Sequence, residues 1–302
     1  MAKETINIAF CFDNNYALGY LVTMVSLFEN NKGENIKVYI ITPGLPQITK
    51  EKFNKLAEIY HQTVAYRDMD DRMFDGLPIN SLFGKGTYYR YMIPELCEES
   101  KVLQVDGDIL FRHNIRELYN KDVSEVAMGV VEDQCSDNIK SINRLKIKST
   151  IFNNGVQLMN LDYWRKNDIA KKCRDFLINN PDTCLYVDQD ANNVILQGKV
   201  KFLPYTYNFQ QQWYWPLSQR EVHYSKWDEV DKYKDDPVIM HFCVSIKPWH
   251  EECVHPFRKE WLHYAMMYNF VGYKEKNYWK LSYRLASKLI DKLSYYRYKY
   301  CR

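Results

Sequence analysis

The sequence contains no run of 18 apolar residues, and its opening stretch, MAKETINIAF, lacks the apolar segment of a secretory leader. The expectation is a cytoplasmic chain that does not span a membrane. There is no Cys-x-x-Cys pair. The eight cysteines, at 11, 97, 135, 173, 184, 243, 253 and 301, follow no small-secreted-domain spacing and read as buried free thiols of a reducing compartment. Neither a Gly-x-Gly-x-x-Gly turn nor a P-loop occurs, and GKGT at 84–87 has the wrong spacing for the latter. That removes the support for a dinucleotide-binding or P-loop enzyme. No internal repeat is present, and no linker is long enough to divide independent domains.

What remains is a chain of 302 residues, 46% hydrophobic and 26% charged, able to bury a sizeable core. Aromatics reach 15%, and 25 residues are tyrosines, which suit half-apolar, half-wet surfaces such as ligand clefts and membrane interfaces. The net charge of +3 is unevenly spread. Residues 274–302 hold nine basic and two acidic residues, a balance of +7, against 32 and 36 in residues 1–273, a balance of −4. An anionic partner is therefore expected for the tail and not for the body.

Short apolar runs alternate with segments of helical spacing. Strands are expected at 6–12, 37–42, 63–68, 102–105, 126–133, within 151–164 behind a glycine turn, at 200–203 and, as the last strand of the body, at 238–243. Helices are expected within 13–31 after a polar turn, and at 47–60, 88–97, 165–178 and 188–196. Residues 204–233, rich in Tyr, Trp and Gln, read as an irregular segment that lines something. Strands alternating with helices predict an α/β fold with a mostly parallel sheet covered on both sides.

In "VLQVDGDILF" at 102–111, Asp106 stands at a strand's carboxyl end, where open α/β sheets collect ligands. Asp106 and Asp108 lie two residues apart, so in extended backbone they share a face, with Gly107 permitting a close bend. Two such carboxylates suit Mg²⁺ or Mn²⁺. A polar turn capped by aspartates reads equally well, and a phosphatase with an aspartate nucleophile stays open. In "HFCVSIKPWH" at 241–250, His241 offers an imidazole to the same ion and Lys247 a cation to a phosphate. The competing readings are a core histidine with a surface lysine, or zinc held among His241, Cys243, His250, Cys253 and His255. In "VDQDANN" at 187–193, Asp188 is a helix N-cap or, with Gln189 and Asp190, binds sugar hydroxyls. Asn153 and Asn154 in "FNNG" belong to a turn or a polar rim. Asp13, Asn15 and Tyr16, beyond the first strand, form an Asx loop or hold a base and ribose.

The stretches "FDNNYALGYLVTMVSL", "YYRYMIPEL", "VLQVDGDILF", "FNNGVQLMNLDYW", "VDQDANN" and "HFCVSIKPWH", in this order over about 245 residues, resemble those of glycosyltransferase family 8. The similarity is to its bacterial lipopolysaccharide galactosyl- and glucosyltransferases; the family also includes glycogenin and galactinol synthase. The resemblance implies a single GT-A domain, the nucleotide-diphospho-sugar transferase fold, over 1–273. It implies transfer of glucose or galactose from a UDP-sugar to a saccharide or glycolipid acceptor, with Mn²⁺ and retention of configuration. It assigns Asp106, Asp108 and His241 to the metal, with Gly107 between the aspartates. Asp13, Asn15 and Tyr16 go to the uridine, Lys247 to the diphosphate, and Arg90 to the donor sugar or nearby carboxylates. Asn153, Asp188 and Gln189 line the donor sugar, Gln189 on the face where a nucleophile or acceptor must approach, with Asp190 adjacent. Val244 stands where the family pattern carries glycine.

From Lys280 the tail repeats Lys280, Arg284, Lys288 and Lys292 beside Leu281, Leu285, Leu289 and Leu293, the basic and apolar stripes of an amphipathic helix. Residues 274–302 are expected to bind an anionic membrane, placing the chain on the inner face of the cytoplasmic membrane, as peripheral enzymes similar to it are. No nucleic-acid partner is expected, because the acidic body offers no matching channel.

Overall fold

The computed structural model describes residues 3–214 and 223–269. The tail expected over 274–302 lies outside them.

β1 (Ile6–Cys11) and β2 (Ile36–Thr42) are the near-continuous apolar runs of strands covered on both faces. In β1 the side chains of Ile6, Ile8 and Phe10 join one core and those of Ala9 and Cys11 the other, as the two-residue period of a strand requires. α1 (Ala17–Asn30) follows β1, α2 (Gln47–Ile59) follows β2, and β3 (Thr63–Asp68) comes next. Phe28 of α1 and Phe53 of α2 are buried in the first core, each contributing roughly 1.5–3 kcal/mol.

A 3₁₀ segment, Lys85–Met92, leads into α3 (Ile93–Leu96), where Pro94 falls in the first turn and costs no helical hydrogen bond. Then come β4 (Lys101–Val105), β5 (Ile109–Phe111), α4 (Arg116–Tyr119), β6 (Met128–Glu132) and α5 (Ile139–Leu145). β7 (Phe152–Asn160) precedes α6 (Leu161–Lys166) and α7 (Ile169–Asn179). The helix expected over 165–178 is thus two, divided at Asp168, whose φ is +51°. α8 (Val187–Ile195), β8 (Val200–Phe202), β9 (Phe209–Gln210), α9 (Trp227–Asp231), β10 (Ile239–His241) and α10 (Arg258–Met267) complete the described chain.

The large sheet has seven strands in the order β3-β2-β1-β4-β7-β6-β8. All run parallel except β7, which opposes both neighbours. The mostly parallel α/β fold read from the sequence is the one observed. A second sheet of three strands, β5-β10-β9, pairs β10 antiparallel to β5 and parallel to β9. The strand expected at 238–243 is therefore shorter and belongs to this smaller sheet.

Gly155 does not form a turn ahead of β7 but lies inside it, where the pairing with β6 shifts register between Val130 and Val131. Residues 154–156, between the pairs Val130–Gln157 and Val131–Asn153, thereby have no partner on β6.

Candidate active site at the junction of the two sheets

The apolar residues resume after Asp106, Gly107 and Asp108 because the chain is changing sheets. β4 ends at Val105 in the large sheet and β5 begins at Ile109 in the small one. Asp106 N–H donates to Gly155 O of β7 at 3.0 Å, and Asp108 O accepts from Phe242 N–H beyond β10 at 2.9 Å. The pairing of His241 with Ile109 then sets the imidazole beside the two carboxylates.

Asp106, Asp108 and His241 offer ligand atoms that all lie within 4.8 Å of one another. His241 Nε2 is 3.2 Å from Asp108 Oδ1 and 4.0 Å from Asp106 Oδ2. Two glycines make this approach possible. A Cβ on Gly107 would lie 2.6 Å from the Tyr20 ring, and one on Gly155 would lie 2.6 Å from His241 Nδ1. Two carboxylates and one imidazole in such a cradle fit a hard divalent cation. Among the described residues the alternative zinc set of His241, Cys243, His250, Cys253 and His255 is not gathered. His255 sits instead in a nest of Tyr214, Phe242 and Phe257.

Lys247 Nζ donates to Asp108 and, at 2.9 Å, to Phe242 O. Burial opposes the charge of Asp108, but Lys247 and His241, through their charges and hydrogen bonds, together outweigh it and hold the carboxyl well below the usual carboxylate range. Arg90, almost fully buried, bridges Asp106 at 2.8 Å and Asp188 at 3.2 Å. Its Nη1 donates to Asn154 O at 2.6 Å.

Asp188 does not cap α8; Tyr186 occupies the cap position, and Asp188 lies in the first turn. Its oxygens accept from Thr87 Oγ1, from Asn154 Nδ2 at 2.8 Å and from Arg90. Burial raises its carboxyl pKa against the pull of Arg90. Val187, ahead of it, is a buried β-branched residue at φ +38°, a strained backbone of the kind that collects at sites. Gln189 Oε1 accepts from Asn154 N–H at 3.1 Å and from Asn153 Nδ2 at 3.3 Å, while its Nε2 donates to Asp133 Oδ2 at 3.2 Å.

Not every expected residue joins this group. Asp190 turns away, paired with Arg144 at 2.6 Å and accepting from Tyr186 N–H at 2.8 Å. Asp13 accepts from Asn15 N–H at 2.9 Å in an Asx loop, with Asp13 and Asn15 left accessible at the end of β1. Tyr16 meets Trp249 edge-on at 5.9 Å, which joins that loop to the segment carrying Lys247. Val244 does not take a left-handed backbone, so its side chain adds no strain there.

Residues 7–253 match the profile of Glycosyl transferase family 8. The chain belongs to this family. Among curated relatives of this family 8 chain, General stress protein A of Bacillus subtilis is 28% identical over 268 residues, spanning 86% of this chain and 93% of that protein. Lipopolysaccharide 1,2-glucosyltransferase of Escherichia coli K12 is 26% identical over 84% of this chain and 75% of its own length. Lipopolysaccharide 1,3-galactosyltransferase of Salmonella typhimurium is 25% identical over 86% and 77%. The crystal structure of galactosyltransferase LgtC, solved with donor and acceptor sugar analogues, superposes with a TM-score of 0.76 at 23% identity, covering 87% of this chain and 95% of that one. The fold of this glycosyltransferase is accordingly GT-A.

Two site residues of this family 8 chain, Asp133 and Asn208, escape a reading of the sequence. Asp133, just past β6, accepts from Asn153 and Gln189, and burial raises its carboxyl pKa. Its position after a strand end is the same signal that marks Asp106. Asn208 lies against His241 and carries no signal in composition or spacing, whereas Asn154, read with Asn153 as turn or polar rim, joins Asp188 to Arg90.

Proposed function

We propose that this glycosyltransferase moves a hexose, glucose or galactose, from a UDP-sugar to a saccharide or glycolipid acceptor in cell-surface glycan synthesis. Asp106, Asp108 and His241 hold Mn²⁺, with Mg²⁺ as the substitute. The observation that carries this reading is the convergence of those three side chains beside Lys247 at the strand ends. Support for the substrate class comes from two of the curated relatives, named lipopolysaccharide 1,2-glucosyltransferase and lipopolysaccharide 1,3-galactosyltransferase, and from LgtC, solved with donor and acceptor sugar analogues.

The cation, when bound, neutralises the negative charge that grows on the departing diphosphate. Lys247 adds its ammonium to the same end of the donor. Arg90 pairs with both Asp106 and Asp188, so the metal side and the sugar side of the site are braced together. Asp13, Asn15 and Tyr16 flank the uridine, and Asn153, Asp188 and Gln189 the hexose.

Configuration is retained by front-face attack. Asp188 is engaged by Thr87, Asn154 and Arg90, Asp190 by Arg144, and Gln189 offers only an amide. No carboxylate among them is poised as the nucleophile of a double displacement. The acceptor hydroxyl enters on the leaving-group side and passes its proton to the departing phosphate oxygen, while Asp188 and Gln189 stabilise the oxocarbenium-like centre.

Residues 1–273 form the catalytic unit, and residues 274–302 bind the anionic inner face of the cytoplasmic membrane as a basic amphipathic segment. No helix among the described residues is long and apolar enough to cross a membrane. The experiment is incubation with UDP-glucose or UDP-galactose, Mn²⁺ and a panel of saccharide acceptors, with the product's anomeric configuration read by NMR. An α-linked glycoside supports the proposal. Free sugar or phosphate alone, binding without turnover, or a glycosyl adduct trapped on Asp188 or Asp190, contradicts it.

A further inference from the structure

His241 Nδ1 lies 2.9 Å from Asn208 Oδ1, and Asn208 is completely buried. Asn208 Nδ2 donates to Asn153 Oδ1 at 2.9 Å, and that same oxygen accepts from the Gly155 backbone N–H at 2.9 Å. This order follows from one fixed donor. A backbone N–H can only donate, so the Asn153 atom facing it is the oxygen. The Asn208 atom facing that oxygen must then be its NH₂, which leaves the Asn208 oxygen toward His241. An oxygen there requires a hydrogen on Nδ1, so the neutral imidazole keeps its lone pair on Nε2, the nitrogen nearest Asp108 and Asp106. A second backbone donor agrees. Asn154 N–H fixes Gln189 Oε1, and Gln189 Nε2 and Asn153 Nδ2 both then point to Asp133 Oδ2.

We propose that Asn208 is a positioning residue that holds His241 as its Nδ1–H tautomer and turns Nε2 toward the cation between Asp106 and Asp108. This rests on the metal reading above. The same chain of amides continues from Asn208 through Asn153 to Gln189, so the imidazole and the sugar-side glutamine share one buried hydrogen-bond order. Groups that orient a metal-bound histidine through its second nitrogen typically govern metal affinity by 10–100-fold.

The test labels the histidines with ¹⁵N and reads the tautomer of His241 by long-range ¹H–¹⁵N correlation in protein supplied with the diamagnetic Mg²⁺, its signal assigned by its loss in His241→Gln. Wild-type His241 is expected as the Nδ1–H form. Asn208→Ala, and Asn208→Leu of similar volume should the alanine variant fail to fold, are expected to admit the Nε2–H form. Both should weaken binding of Mn²⁺, followed by the electron paramagnetic resonance of the free ion, by about 10–100-fold. Asn208→Asp keeps an acceptor and should restore the Nδ1–H form and most of the affinity. A wild-type Nε2–H form, or a foldable Asn208→Ala or Asn208→Leu with unchanged tautomer and Mn²⁺ affinity, overturns the inference. A wild-type Nδ1–H form in a protein that takes up no Mn²⁺ would instead overturn the metal reading and leave the role of Asn208 standing.

Discussion

The His241 ring packs directly on the bare Cα of Gly155: an added Cβ there would stand 2.6 Å from Nδ1 and 2.9 Å from Nε2. The ring cannot retreat without breaking its bond to Asn208. Gly155→Ala is therefore expected to displace the imidazole, lowering Mn²⁺ affinity at least about tenfold and destabilising the fold by about 1–3 kcal/mol. Metal titration and denaturant unfolding check both; unchanged metal affinity would show that the ring need not sit on Gly155.

Arg90 neutralises Asp106 and Asp188 together in a buried setting. Replacing it with methionine keeps the length and removes the charge, leaving two carboxylates with one partner fewer. A loss of about 3–5 kcal/mol of stability is expected by urea unfolding, with transfer lost even at temperatures where the variant is folded. Arg90→Lys should fall between, since one ammonium cannot reproduce the fork that spans both acids.

Asp188 and Asp190 should separate in kinetics. Asp190→Asn disturbs only the pair with Arg144 and the bond from Tyr186 N–H, so it is expected to cost about 1–3 kcal/mol of stability with kcat within a few-fold of wild type. Asp188→Asn, with a nearly isosteric side chain, should lower kcat by about 100-fold or more, an interaction of roughly 3 kcal/mol with the charged centre. Equal effects of the two changes on kcat would contradict this division of roles.

His255 links stability to pH. Burial lowers its pKa to about 3, and its Nδ1 accepts from Phe257 N–H at 3.1 Å. In the unfolded chain it titrates near 6.5. A depressed folded pKa means the unfolded state binds the proton first, so this contribution is present above about pH 6.5 and is lost as pH falls toward 3. Between pH 8 and pH 5 the wild type should lose about 2 kcal/mol through this residue. His255→Phe should lose that much less over the same interval, and parallel curves for the two proteins would refute the assignment.

Much of the frame was legible because strands and helices announce themselves by period. β1, β2 and β4 are apolar runs with both faces covered, and Asp106 follows the last of them in the open. Asp133 obeys the same strand-end rule, but it falls inside the strand expected over 126–133, whereas β6 ends at Glu132 and leaves it just outside. Gly155 suggested a turn by composition, yet its reason for being glycine is a histidine 86 positions away. Asn208 was beyond reach, because its partner is fixed only by the alignment of β9 with β10. Asp188 and Asp190 share one short motif but diverge in space, as successive positions on a helix turn do, one toward Arg90 and one toward Arg144.

The central claim is that Asp106, Asp108 and His241 share one divalent cation. It is tested most directly by titrating wild type, Asp108→Ala and His241→Ala with Mn²⁺ in the presence of UDP and counting the free ion by electron paramagnetic resonance. The account predicts one bound ion per wild-type chain, and affinity at least about tenfold weaker in each variant. Equal uptake by all three proteins would contradict it.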